Sequence, residues 1–146
     1  MGTSLLDNRI LWAAFLAWGA AQVSKTVYEL IRQRKLLVSR LVSSGGMPSS
    51  HSALVTGLAT AAGRVMGVNS ASFAITVVLA SIVMYDAAGV RRAVSIQARI
   101  INQMIDEAFQ GHPMAEKRLR ELIGHTPVQV LVGALLGIGI GLLVTA

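Results

Sequence analysis

Apolar positions gather into four stretches, Ile10 to Val23, Ala53 to Val68, Ser72 to Val90 and Pro127 to Ala146. The last has Gln129 near its start and Thr145 near its end as its only polar residues, and at about 1.5 Å per residue it can cross a hydrocarbon core of about 30 Å. It reads as a transmembrane helix. The first two stretches are shorter, and Arg64 interrupts the second, so each reads as a tilted span or as a helix packed inside the bundle. Leu11 to Ala21 has the look of a signal-peptide core, but Asp7 stands ahead of it beside Arg9 where such a peptide needs a purely basic start. A retained helix is expected.

Two long connections are basic. Lys25, Arg32, Arg34, Lys35 and Arg40 occupy the first, and Arg91, Arg92, Arg99, Lys117, Arg118 and Arg120 the last, while the short link near Gly67 to Ser70 carries no charge. If all four stretches span, both basic connections fall on one side, which the positive-inside rule makes cytoplasmic. Within Arg91 to Gly124, the residues Val94, Ala98, Ile101, Met104, Ile105 and Ala108 recur at spacings of three and four, which predicts an amphipathic helix at the membrane surface or against the bundle. Gln110 to Pro113 should break it. The expected fold is all-α: one membrane-embedded domain over residues 1–146, with about four membrane helices and one amphipathic connecting helix.

Composition agrees with this pattern. Of 146 residues, 53% are hydrophobic and 14% charged, against about a quarter charged in soluble domains, which excludes a large multidomain enzyme or a disordered tail. With no cysteine, disulfides, thiol catalysis and thiolate metal sites are excluded as well. The net charge of +6 is interleaved with apolar spans, so it points to anionic headgroups or phosphates and not to nucleic acid.

Candidate chemistry lies at two helix starts. In Ser43-Ser44-Gly45-Gly46-Met47-Pro48-Ser49-Ser50-His51-Ser52-Ala53, the glycines allow a closely approached backbone, and Pro48 suits a first helical turn. Backbone N–H groups there, beside Ser49 and Ser50, would form a phosphate site, with His51 one turn in. Gly124-His125-Thr126-Pro127-Val128-Gln129 repeats the logic, with Thr126 as cap, Pro127 in the first turn and His125 just outside. Gly133, Gly137 and Gly141 on one helix, and Ala53, Gly57 and Ala61 on the other, recur every four residues and would let the two pack in parallel, bringing His51 and His125 together. The glycine stripe could equally form a homodimer face. Two imidazoles and basic residues at a phosphate-shaped site suggest phosphoryl transfer, one ring attacking phosphorus and the other protonating the leaving oxygen. His112, in Gln110-Gly111-His112-Pro113, reads as a loop residue. Asp86, near the end of an apolar helix, is a functional candidate, and Arg91 and Arg92 either bind phosphate or anchor that helix.

Gly45 to Ala53, Tyr85-Asp86-Ala87-Ala88-Gly89-Val90-Arg91-Arg92 and Gly124-His125-Thr126-Pro127 together resemble the divergent branch of the type 2 phosphatidic acid phosphatase family, which is related to vanadium-dependent haloperoxidases. The resemblance covers nearly the whole chain. It implies hydrolysis of a phosphomonoester or pyrophosphate through a phosphohistidine, without metal or other cofactor, on a phosphorylated lipid, an isoprenoid phosphate or a small phosphate ester. It implies a bacterial inner membrane or a plastid membrane, with the site facing the cytoplasm or stroma.

Carried onto this chain, the family pattern gives Lys25 and Arg32 its first spacing, with Gln33 in place of the proline, and matches Pro48, Ser49 and His51, with Ser50 in place of a glycine. His51 falls at the general acid and His125 at the nucleophile. Gln129 stands where the superfamily has the aspartate that orients the nucleophile, and Leu119, flanked by Arg118 and Arg120, stands where its arginine belongs. A glutamine supplies no negative charge, and losing the corresponding group in a Ser-His-Asp triad costs about four orders of magnitude. Asp86 or Glu121 would have to substitute for full turnover. The alternative is a non-catalytic membrane module that binds anionic lipid or organises a complex.

Overall fold

A computed structural model of the chain describes residues 5–33, 46–108 and 125–146. A short 3-10 turn at Leu5–Asp7 precedes α1 (Arg9–Gln33), α2 (Ser50–Met66), α3 (Ala71–Ala88), α4 (Val90–Ala108) and α5 (Pro127–Val144), and no strand occurs among the described residues. Asn8 opens α1, its side-chain oxygen accepting from Ile10 N–H and Leu11 N–H, each at 3.1 Å. Between α2 and α3, Gly67 takes φ +89°, a left-handed conformation that a side chain disfavours, and Ser70 then caps α3 by accepting from Phe73 N–H.

Two departures from the sequence pattern concern α1 and α2. The first helix does not stop at Val23: Ser24 to Gln33 contain neither proline nor glycine, so the helix runs on and takes Lys25 and Arg32 out of the connection and into α1. Pro48 is not in the first turn of α2. Ser49 is the cap, its hydroxyl accepting from Ser52 N–H at 3.4 Å, which sets Pro48 just ahead of the helix and makes His51 its second residue. The expected break at Gln110 to Pro113 lies outside the described residues.

α2 is the central helix, packed on α1, α3 and α5. It runs antiparallel to α1, since Gly57 faces Ala13 and Ala17 while Ala53 packs with Ala17 and Ala21. It runs parallel to α5, because Gly133 lies on the Ser49 backbone, Gly137 on Ala53 and Thr56, and Gly141 on Gly57 and Thr60. Thr56 Oγ1 also donates across this seam to Ala134 O at 3.0 Å. The glycine stripe is therefore filled from within the chain.

Burial is inverted relative to a soluble protein. Among the described residues the buried apolar core is eleven alanines and two valines, whereas Ile75, Val78, Ile82, Leu131, Leu135 and Leu143 face outward. In water such a surface would aggregate, and in lipid it is the expected outcome, because small residues allow close helix packing and large apolar ones meet acyl chains. Two segments, Ala71–Ile105 and Pro127–Val144, are long and apolar enough to cross a bilayer.

The α2–α5 seam yields a paired test. A Cβ at Gly137 would collide with Thr56 Oγ1 and the Ala53 carbonyl, whereas nothing lies within 4 Å of one at Gly139. Gly137→Ala should cost about 1–3 kcal/mol and lower the thermal unfolding midpoint in detergent, while Gly139→Ala leaves it unchanged or slightly raised.

Candidate functional site

Three chain segments meet at one level of the bundle, the last turn of α3 and the first turns of α2 and α5, while α1 passes that level near Lys25 and runs on to Gln33. Two backbone hydrogen bonds tie them, Ser49 N–H to Gln129 O at 3.0 Å and His125 N–H to Ala87 O at 3.2 Å. The first joins the starts of α2 and α5, and the second pins His125 to the end of α3, next to half-buried Asp86. Side by side, the two starts place the His51 and His125 rings with centroids 6.4 Å apart and planes tilted by 60°.

The His125 tautomer follows from its partners. Gln129 Oε1 accepts from Thr126 N–H at 3.1 Å, and a backbone amide can only donate, so the Gln129 atom there must be the carbonyl oxygen. The same oxygen lies 3.2 Å from His125 Nδ1, which must then carry the ring proton. The lone pair is left on Nε2, which is buried within the bundle. Thr126 Oγ1 in turn accepts from Gln129 N–H at 3.4 Å, completing a capping box that fixes the Gln129 amide. These bonds take up most of the amides at this second helix start. Thr126 N–H, Gln129 N–H and His125 N–H are engaged and Pro127 has none, so beside Val128 N–H the start of α5 contributes chiefly the His125 ring.

Around the imidazoles lies a buried polar cluster. Lys25, Ser49 and Ser52 are fully buried, Ser50 and His125 nearly so, and His51 is half-buried. Ser52 Oγ donates to Ser49 Oγ at 3.0 Å. Each four-residue step along α1 toward its end matches a step along α2 toward its start, so that after Ala17 at Gly57 and Ala21 at Ala53 the next step sets Lys25 level with Ser49. A lysine fully enclosed in a membrane bundle is costly to bury. Gln22, buried one turn before Lys25 on the same helix, is a further polar residue on this buried side. Its signal in the sequence was a lone amide in the small-residue run Ala20-Ala21-Gln22, three positions before the lysine.

Thus His51, His125, Gln129, Ser49 and Ser50 come together, and the helix register brings Lys25 to their level. The side chains of Arg32, Arg91 and Arg92 lie outside the described residues, as do Arg118, Leu119, Arg120 and Glu121.

The profile of the Divergent PAP2 family matches residues 6–140. The chain belongs to that family. It is also similar to the uncharacterized membrane protein YuiD of Bacillus subtilis (strain 168), with 42% identity over 145 residues that cover 92% of each chain. No solved structure matches it significantly. The family, the membrane-protein relative and the outward-facing apolar surface together make this chain a membrane protein of the Divergent PAP2 family.

The tautomer is open to direct measurement. Imidazole ¹⁵N shifts of His125 in the labelled protein should report a protonated Nδ1 and a lone pair on Nε2. In Gln129→Leu that preference should disappear, and an unchanged spectrum would remove Gln129 from its positioning role.

Proposed function

We propose that this protein is a membrane phosphatase-like hydrolase that cleaves a phosphomonoester or pyrophosphate through a phosphohistidine on His125. Its substrate is a lipid or isoprenoid phosphate, and its four long packed helices α1, α2, α3 and α5 form one membrane-spanning domain. The basic connections support a site that faces the cytoplasm or stroma. The 6.4 Å separation of the His51 and His125 rings carries this reading. Neighbouring imidazoles at that ring separation suit a nucleophile and an acid acting on one phosphoryl group.

In the first step the Nε2 lone pair of His125 attacks phosphorus. The bond from phosphorus to the ester oxygen breaks, and protonated His51 gives its proton to the departing oxygen. In the second step water attacks the phosphohistidine, His51 takes a proton from that water, the phosphorus–nitrogen bond breaks and inorganic phosphate leaves. Lys25 and the first-turn N–H groups of α2 supply positive potential for the phosphoryl oxygens, with Arg32, Arg91 and Arg92 as further phosphate ligands. Gln129 holds the nucleophile in its reactive tautomer but offers no charge to the imidazolium that develops, so a slow enzyme is expected.

The neutral Gln129 is also what favours a second reading, a non-catalytic module that binds anionic lipid phosphate at the same cluster. Purified protein in detergent, supplied with a lipid phosphate, an isoprenoid pyrophosphate and a soluble phosphate ester, separates the two. Hydrolysis predicts phosphate release that His51→Ala lowers by about 10²–10⁴-fold and His125→Ala abolishes. Equal release from the wild type and His125→Ala would end it. The binding reading instead predicts lipid retention that survives His125→Ala and weakens, most clearly at low salt, when Lys25 and Arg32 are neutralised.

A further inference from the structure

Beyond Arg91 and Arg92 at its start, α4 is absorbed by none of the chemistry above. It follows α3 with only Gly89 between them, and among the described elements its main packing is on α3. The 18 residues of α3 measure about 27 Å, close to a hydrocarbon core of about 30 Å, so α4 begins where the bilayer meets water.

Its sequence separates apolar from polar residues more sharply than that of any other described helix. Val94, Ile101 and Ile105 form one row at helical spacing, with Ile100 and Met104 beside it. All five are exposed, Met104 by 62%. The opposite side carries Arg99 and Gln103, also exposed, and the charges of α4 are segregated along the helix, with Arg91, Arg92 and Arg99 in the part that follows α3 and Asp106 and Glu107 confined to its last turn. The bundle leaves this apolar arc uncovered, and water would not tolerate it. A crossing of the bilayer would drag Gln97, Arg99 and Gln103 through hydrocarbon.

We propose that α4 is a docking surface for the headgroup layer of an anionic leaflet, with the Val94, Ile101 and Ile105 row seated at the acyl boundary and the arginines among lipid phosphates. Charge complementarity and direct continuity with the apolar α3 select this occupant over a protein partner. The assignment does not depend on turnover at His125. It sets the floor of the site at the depth of lipid phosphates, because α4 starts three residues after Ala87, whose carbonyl holds His125.

The absence of cysteine makes the test clean. Single variants Arg99→Cys, Ile101→Cys, Gln103→Cys and Ile105→Cys of the full chain are spin-labelled and placed in vesicles of mixed phosphatidylglycerol and phosphatidylcholine. Collision rates are then measured with oxygen, which concentrates in lipid, and with a water-soluble nickel chelate. Labels at 101 and 105 should favour oxygen several-fold and labels at 99 and 103 the chelate, with the contrast shrinking in phosphatidylcholine alone. Equal chelate access at all four sites would place α4 in water and overturn the assignment. Shielding of 101 and 105 from both reagents would overturn it as well, by showing that a second copy or another protein segment covers the arc.

Discussion

Two helix starts can aim at one point only when their backbones almost touch, and the approach of α2 and α5 along Gly133, Gly137 and Gly141 is the constraint from which the site follows. In lipid no hydrophobic force drives helices together, so close packing and interhelical hydrogen bonds must hold the seam. Glycine on α5 lets the Ser49 and Ala53 carbonyls of α2 lie where a Cβ would otherwise stand. Parallel direction then does the rest. Helices that start together expose their first turns together, and His51 and His125, 74 positions apart, become neighbours.

The same packing explains where polarity can be buried. Small residues fill the middle of the bundle, and the buried Gln22, Lys25, Ser49, Ser50, Ser52 and His125 lie toward the end where α2 and α5 begin. There the helix starts supply N–H groups and a favourable dipole, so polar side chains meet less of the penalty that lipid imposes elsewhere. At α5 the capping box has taken up most of those groups. Its product is an oriented imidazole: Gln129 serves the helix cap and the ring with one oxygen, so a change at this residue acts on fold and chemistry at once.

Much of this was legible in the residues because membrane helices announce themselves by composition and their starts by capping chemistry. Thr126 and Pro127 gave the start of α5, and the four-residue spacing of glycines gave the parallel seam. The length of α1 was not legible. Charged residues from Lys25 onward look like a loop when only apolarity is counted, yet nothing in Ser24 to Gln33 breaks a helix, and the lysine ends inside the bundle. The position of Pro48 was misread for a related reason, since Ser49 is the better cap and Pro48 yields the first turn to Ser50 and His51. Nor could the sequence reveal that Gln129 would engage the Thr126 amide and the His125 ring through one atom, a matter of side-chain geometry.

The meeting of two imidazoles is the claim on which the functional account rests, and a chain with three histidines lets it be measured without ambiguity. Protein labelled at histidine, diluted into unlabelled protein and reconstituted in bilayers, gives a simple solid-state NMR spectrum, with His112 assigned by substitution. The account predicts a through-space ring-to-ring correlation between His51 and His125, consistent with the 6.4 Å separation and persisting on dilution. A spectrum with no such correlation, or one that vanishes as unlabelled chain is added, would contradict it.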